Sequence, residues 1–358
     1  MALYTRLAIV TAVLLTATVP GCSRPDRSPE LHRAFEGAGE PMPEPAFGDW
    51  LQQHPEKGQA FEQFVRSKPL LPDSRRHKIY LQPLGTFGED APSLDFLERF
   101  AAAFFSLEVE VLPASKLEEG PPVQSRLGVG KRERRQYLST DVLARLGKQI
   151  PPDAFALLGV TLEDLYPKPE WNFVFGQASL RNRVGIYSFA RYDPAFYGEP
   201  RPADWRRLSL LRSCKVLAHE TGHMFGIRHC TFYRCVMNGS NHLGETDSQP
   251  LHLCPVDLRK LNHSVGFDPL ERYRKLLALS EEAGFLDEEA WLRAEIGRLT
   301  STRRAPRRRR RDDVAAGVPR PGSLRGLRPS SRRALRQTWE TSPAPSVPRT
   351  SRTWPSWR

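Results

Sequence analysis

Cysteine is scarce in this chain, with five residues among 358. A small secreted scaffold stapled by disulfides is therefore excluded, and the thiols are free for other work. Long apolar runs are missing as well. The stretch Leu7–Val19 holds thirteen residues that are apolar or Thr, against the ~20 that a helix needs to cross a bilayer. No internal repeat is present, which excludes solenoids and propellers. Lysine vanishes from the end of the chain: residues 301–358 hold 16 Arg, no Lys, and only Asp312, Asp313 and Glu340 as acids. That segment carries a net +13 against +12 for the whole chain, so residues 1–300 stand at −1. The basic balance belongs to the tail, and nothing about the rest implies a nucleic acid or other polyanion as partner.

What is present falls into four stretches. Residues 1–22 follow a targeting pattern, with Arg6 before the short apolar run and Val19-Pro20-Gly21-Cys22 after it. The last four resemble a bacterial lipobox, which implies export and membrane attachment through a lipidated Cys22. An ordinary signal or simple anchor, or a cytoplasmic protein, is the alternative. Residues 23–75 read as a Pro-rich tether with short helices, residues 76–300 as the folded domain, and residues 301–358 as a disordered Arg/Pro/Ser-rich tail. The tail is either a basic arm for nucleic acid or an anionic membrane face, or a solvated extension.

The chemistry is concentrated in His219-Glu220-Thr221-Gly222-His223-Met224-Phe225-Gly226-Ile227-Arg228-His229. On a helix, His219 and His223 share one face and can bind one metal ion. Glu220 lies beside the first ligand, where it can accept a proton from a water that the metal activates. Gly226 can take the positive φ that ends the helix and brings His229 back toward the same ion. The pattern points to a zinc peptidase and resembles the metzincin clan, in which a methionine turn lies beneath the metal.

The next residues narrow the resemblance. Cys230-x4-Cys235-x-Met237-x-Gly239-Ser240, followed by Cys254-Pro255-Val256-Asp257, is similar to the archaemetzincin family. The resemblance implies a catalytic zinc on His219, His223 and His229, Glu220 as acid and base, and Met237 as the turn. It also implies a second, structural zinc on Cys230, Cys235 and Cys254. The family pattern ends in C-x-x-C, and this chain has Asp257 at the last position. Zinc accepts a carboxylate oxygen, so a Cys3Asp site is reasonable chemistry. A decayed site, or replacement of Asp257 by His242, His252 or His263, is also open, and a cysteine at 257 should complete a tighter four-thiolate site. Cys214 is left over and reads as a small buried residue.

The expected fold is α/β (α+β): by resemblance a metzincin-like catalytic domain, a mixed twisted sheet packed on helices that include the active-site helix, with a C-terminal helical segment. Lys78–Gly85 and Leu107–Leu112 read as strands around a helix over Leu94–Phe105, an order that favours a parallel pair. A helix around Ser139–Leu146 and a buried strand over Ala154–Val160 follow. Trp171–Ala178 and Val184–Phe189 read as strands joined near Asn182. The active-site helix should run from about Leu208 to Phe225 with one apolar face toward the sheet. Two helices over 271–282 and 288–299 should break near Gly284. The resemblance makes Trp171–Ala178 the edge strand that holds an extended peptide, with Phe175, Gly176 and Ala178 as substrate contacts. Two functions are compatible with these residues: a zinc-dependent peptidase acting on a peptide or protein, and a non-catalytic, zinc-stabilised peptide-binding protein on the same scaffold.

Overall fold

The computed structural model describes residues 33–37, 39–128, 134–179 and 182–301. The targeting pattern with Cys22, the first part of the tether and nearly all of the basic tail lie outside the described residues. Among the described residues no helix is long and apolar enough to cross a membrane.

The architecture is mixed α/β. A five-stranded sheet runs β2-β1-β5-β8-β7, with β1 at Lys78–Leu84, β2 at Glu108–Val111, β5 at Ala154–Thr161, β7 at Gly176–Ser179 and β8 at Val184–Ser188. All neighbours are parallel except β7, which lies antiparallel to β8 at the edge. The β1–helix–β2 unit is parallel as its sequence order demands, and the intervening helix spans Leu94–Phe105. Ser93 caps that helix by accepting from the Phe96 backbone N–H.

Alternation along the strands separates two apolar layers. Ile79 and Leu81 face the layer with Phe100, Phe104, Phe105 and the active-site helix. Tyr80 and Leu84 face the layer with Val142 and Leu146 of the helix Ser139–Gln149. Strand β5 is buried along its whole length because helices cover both sheet faces.

The active-site helix runs Trp205–Met224. Its burial differs from the expected single apolar face, since Arg212, Ser213, Lys215, Glu220 and Thr221 are buried along with Cys214, Leu217 and Ala218. Arg212, Ser213 and Lys215 find internal partners instead of water. Arg212 forks onto Asp247 at 2.8 and 2.6 Å, and Ser213 donates to the Ser209 carbonyl at 2.8 Å. The helix end is anchored by Phe225, stacked on Phe105 at 5.4 Å and tilted on Phe155 at 4.5 Å.

Three expectations need correction. Only the end of Trp171–Ala178 is strand, because the carbonyls of Pro169, Trp171 and Asn172 are taken by Arg126 and that of Asn172 also by Gln136, away from any ladder. A second sheet of three short strands, β3 (Ser125–Leu127), β4 (Arg135–Leu138) and β6 (Asp164–Tyr166), was not foreseen. And the latter part of the supposed tether is packed on the domain, with Trp50 2 % and Phe64 0 % exposed. At the C-terminal end the helical pair is as expected, Pro269–Ala283 and Leu286–Ser301, with Gly284 at φ +67° between them.

Candidate metal centre

His219 and His223 project from one face of the active-site helix, one turn apart. The helix then stops: Gly226, at φ +78°, reverses the chain, and its N–H donates to the His223 carbonyl at 2.8 Å. A side chain there would be strained and would also press on Pro69. The reversal carries His229 back, and the ligand atoms of the three histidines lie within 4.8 Å of one another.

Each ring is oriented by its Nδ1 atom. His219 Nδ1 lies 2.8 Å from the Val236 carbonyl, and His223 Nδ1 lies 2.7 Å from the Ile227 carbonyl. A carbonyl only accepts, so both neutral rings carry their proton on Nδ1. Their Nε2 atoms then face each other at 3.1 Å with two lone pairs and no proton between. That contact is repulsive without a cation. Two imidazoles binding zinc at about 2.0–2.1 Å and a tetrahedral angle would stand about 3.4 Å apart, so the donor set fits the metal. Burial and the neighbouring rings keep His219 far below its usual pKa and pull His223 down to about 4, which preserves the neutral form that binds metal.

The third ligand has a partner that the sequence did not reveal. Glu56 accepts from His229 Nδ1 at 3.0 Å and from Trp50 Nε1 at 2.7 Å. Burial opposes its ionisation, but the hydrogen bonds from His229 and Trp50 outweigh it and the Glu56 pKa is lowered. The Trp50 backbone is in turn held by Glu245 at 2.9 Å. Glu56 and Trp50 stand more than 170 residues before the histidine they orient, which is why no local pattern exposed them.

Glu220 lines the same small cavity as His219, His229, Phe175, Tyr192 and Val236. No described side chain hydrogen-bonds its carboxylate, and burial pushes its pKa up to about 7, with His229 opposing. Met237 is fully buried against Gly222, on the helix between His219 and His223. A β-carbon on Gly222 would meet its sulfur at 2.5 Å, so the glycine of the motif makes room for the methionine. Of the three substrate candidates, Phe175 lies just before β7 and lines the cavity, while Gly176 and Ala178 on β7 pair with Tyr187 and Gly185 of β8.

A second cluster brings together Cys230, Cys235, Cys254 and Asp257, all buried, with no disulfide among them. Cys230 and Cys254 sulfurs are 3.6 Å apart, and Asp257 Oδ2 is 3.3 Å from Cys235 and 3.6 Å from Cys254. A tetrahedral zinc needs about 3.5–3.7 Å between S and O and about 3.8 Å between two S ligands, within a few tenths of an ångström of these separations, so this donor set also fits. Hydrogen bonds from Cys235 and Cys254 hold the Cys230 thiol well below its usual range. Cys254 caps the helix Pro255–Val265 that carries Asp257. The other oxygen, Oδ1, takes the Lys260 ammonium at 2.7 Å, with both side chains at 1 % exposure or less. Of the histidines that stood open as replacements, His242 caps the short helix Leu243–Ser248, His252 bonds Glu288 at 2.8 Å, and His263 meets Phe61 and Phe64. None of them joins the thiols. His242 instead lies near Asp49, which accepts from the Ala46 N–H, and Glu245, which accepts from the Trp50 and Asn241 N–H groups.

The Peptidase family M54 model matches residues 94–263. Archaemetzincin-2 of Mus musculus is 39% identical over 267 residues, covering 66% of this chain and 74% of that protein. Among solved structures, an archaemetzincin from Archaeoglobus fulgidus, complexed with malonate, is 33% identical, with TM-score 0.39 and coverage of 51% of this chain and 99% of that one. A zinc-dependent peptidase from Methanocorpusculum labreanum is 26% identical, with TM-score 0.40 and coverage of 51% and 100%. Three imidazoles converging beside a buried carboxylate, in a chain that matches the M54 peptidase model and archaemetzincin-2, define a zinc metallopeptidase. The chain belongs to the archaemetzincin family.

Proposed function

We propose that this protein hydrolyses peptide bonds at a zinc held by His219, His223 and His229, with Glu220 as the general base. The observation that carries the reading is the pair of opposed Nε2 lone pairs at 3.1 Å in the cavity that Glu220 lines. When bound there, zinc supplies Lewis acidity that polarises a peptide carbonyl and makes a water easier to deprotonate. Glu220 takes the proton of the attacking water on its carboxylate and delivers it to the leaving amine nitrogen. Burial raises its pKa and a bound zinc would draw it back down, so the carboxylate would be ionised to take the proton while the buried site favours holding it until the amine leaves. Glu56 fixes the tautomer of His229 so that Nε2 stays free for the metal.

In this reading Met237 forms a metzincin-type turn, and its neighbour Val236 orients the first ligand through its carbonyl. Cys230, Cys235, Cys254 and Asp257 hold a second, structural zinc that stiffens the same turn, because the Cys230 N–H donates to the Met237 carbonyl at 2.8 Å. Among the described residues strand β7 has no strand beyond it in the sheet order, and it offers its outer edge to an extended peptide, with Phe175 as a wall of the cavity. Membrane attachment through Cys22 belongs to the same proposal. The functional test is cleavage of a peptide library that is lost on chelation and restored by zinc; cleavage unaffected by complete metal removal would overturn the reading.

A further inference from the structure

Lys215 lies one helical turn before His219 on the same face of the active-site helix and is 5 % exposed. It lines two cavities at once. One is the cavity of His219 and Glu220; the other, of about 760 Å³, is walled by the active-site helix, residues 247–255 and the C-terminal helical pair. Gln249 is likewise common to both, so the two spaces share a wall beside His219.

The ammonium donates to the carbonyls of Thr246 at 3.1 Å and Asp247 at 3.0 Å. An ammonium has three protons to give, and two are used. Among the described residues no carboxylate lies within 4.0 Å of it. Of the acids in the surrounding walls, Asp247 is committed to Arg212 and Glu288 to His252, and Glu220, though it lines the same cavity, forms no ion pair with the lysine. The other long cations there have partners of their own, Arg207 with Asp204 and Arg234 with Glu40. Burial lowers the Lys215 pKa to about 8, which leaves it largely charged at neutral pH. A buried cation of this kind is costly unless an anion joins it. Packing alone would be served by a leucine or methionine at the same place.

We propose that Lys215 anchors a carboxylate of the bound peptide, one helical turn from the metal centre, and so sets the substrate preference of this peptidase. The inference rests on the peptidase reading. The carboxylate is either that of a Glu or Asp side chain next to the scissile bond or the free C-terminus of a short peptide.

Two matched peptide sets distinguish these sources. In the first, acetylated and amidated peptides differ only by Glu, Gln or Leu at each position flanking the cleaved bond; in the second, one sequence ends in a free acid or an amide. The wild type should favour the carboxylate member of one set by at least about tenfold in kcat/KM. Lys215→Gln, which keeps hydrogen bonds to the two carbonyls, should lose that preference at unchanged zinc content, and Lys215→Arg should retain most of it. Binding of the same pairs to the Glu220→Gln protein, followed by calorimetry, gives a readout independent of turnover. Discrimination in binding by a wild type without turnover would sustain the carboxylate site and sink the peptidase reading. Turnover with equal kcat/KM for Glu and Gln and for acid and amide would do the reverse, as would a preference that survives in Lys215→Gln. Should Lys215→Gln fail to fold, the wild-type pairs decide, with Lys215→Arg expected to alter KM for the carboxylate peptide alone.

Discussion

Replacing Asp257 with cysteine looks, from the sequence, like the repair of an incomplete four-thiolate site, yet the structure predicts that it destabilises the protein. The carboxylate serves two partners with two oxygens: Oδ2 faces the thiols and Oδ1 holds Lys260 at 2.7 Å. A cysteine offers a single sulfur and cannot do both. Lys260 is 1 % exposed, so its ammonium would be left in the core without its counter-ion. Three thiolates, one carboxylate and a zinc ion sum to −2, and Lys260 halves that buried charge; it is part of the site's electrostatics. Breaking a buried pair by removing one partner costs about 3–5 kcal/mol. A tenfold gain in zinc affinity returns about 1.4 kcal/mol. The new thiolate would have to tighten zinc by about 10²- to 10⁴-fold to break even. Asp257→Cys alone should therefore lower the melting temperature of the zinc-loaded protein, by about 6–20 °C for a domain of this size. Adding Lys260→Met should recover most of the loss. A double-mutant cycle over the four proteins, with melting and zinc content measured on each, isolates the coupling. An Asp257→Cys protein that melts at or above the wild-type temperature with Lys260 in place would refute the reasoning.

Two further outcomes follow from the catalytic cluster. Glu56→Gln keeps an acceptor for His229 but removes the charge, and zinc affinity at the catalytic centre should fall by about 10- to 100-fold in chelator competition; an unchanged affinity would reduce Glu56 to a packing residue. In metal-free protein Glu220 should titrate near 7, read from the pH dependence of its labelled carboxyl carbon by NMR. Burial disfavours the charged carboxylate and raises the pKa, whereas a nearby dication favours the charged form, so zinc must move the midpoint down. An apo midpoint near the ordinary 4.5 would contradict the burial argument.

The sequence made the centre legible because its chemistry is local. Three histidines, a carboxylate and a turn glycine occupy eleven consecutive residues, and their spacing follows from a helix and the turn that ends it. The helix over Leu94–Phe105 and the strands β1, β2, β5 and β8 were equally plain, since their apolar periods are clean and turn residues bound them. What stayed hidden depends on distance or on polar substitutes for regular pairing. Trp50, Glu56 and Phe64 look like tether residues until the fold lays them against the metal centre. The missing half of the Trp171–Ala178 strand was lost to the Arg126 guanidinium, a partner some 45 residues away. Strands β3, β4 and β6 are three or four residues long, too short for alternation to announce them. No sequence pattern singles out Lys215 and Lys260, and only their burial shows that they face the interior.

The central claim is that Glu220 performs the proton transfer at a zinc held by three histidines. The most direct test is a side-by-side measurement of zinc per chain, by mass spectrometry under native conditions, and of peptide cleavage for the wild type and Glu220→Gln. The account predicts the same zinc content in both and a loss of about 10²- to 10⁴-fold or more in the rate for the variant. A Glu220→Gln protein that carries zinc and cleaves the same peptides at the wild-type rate would contradict it.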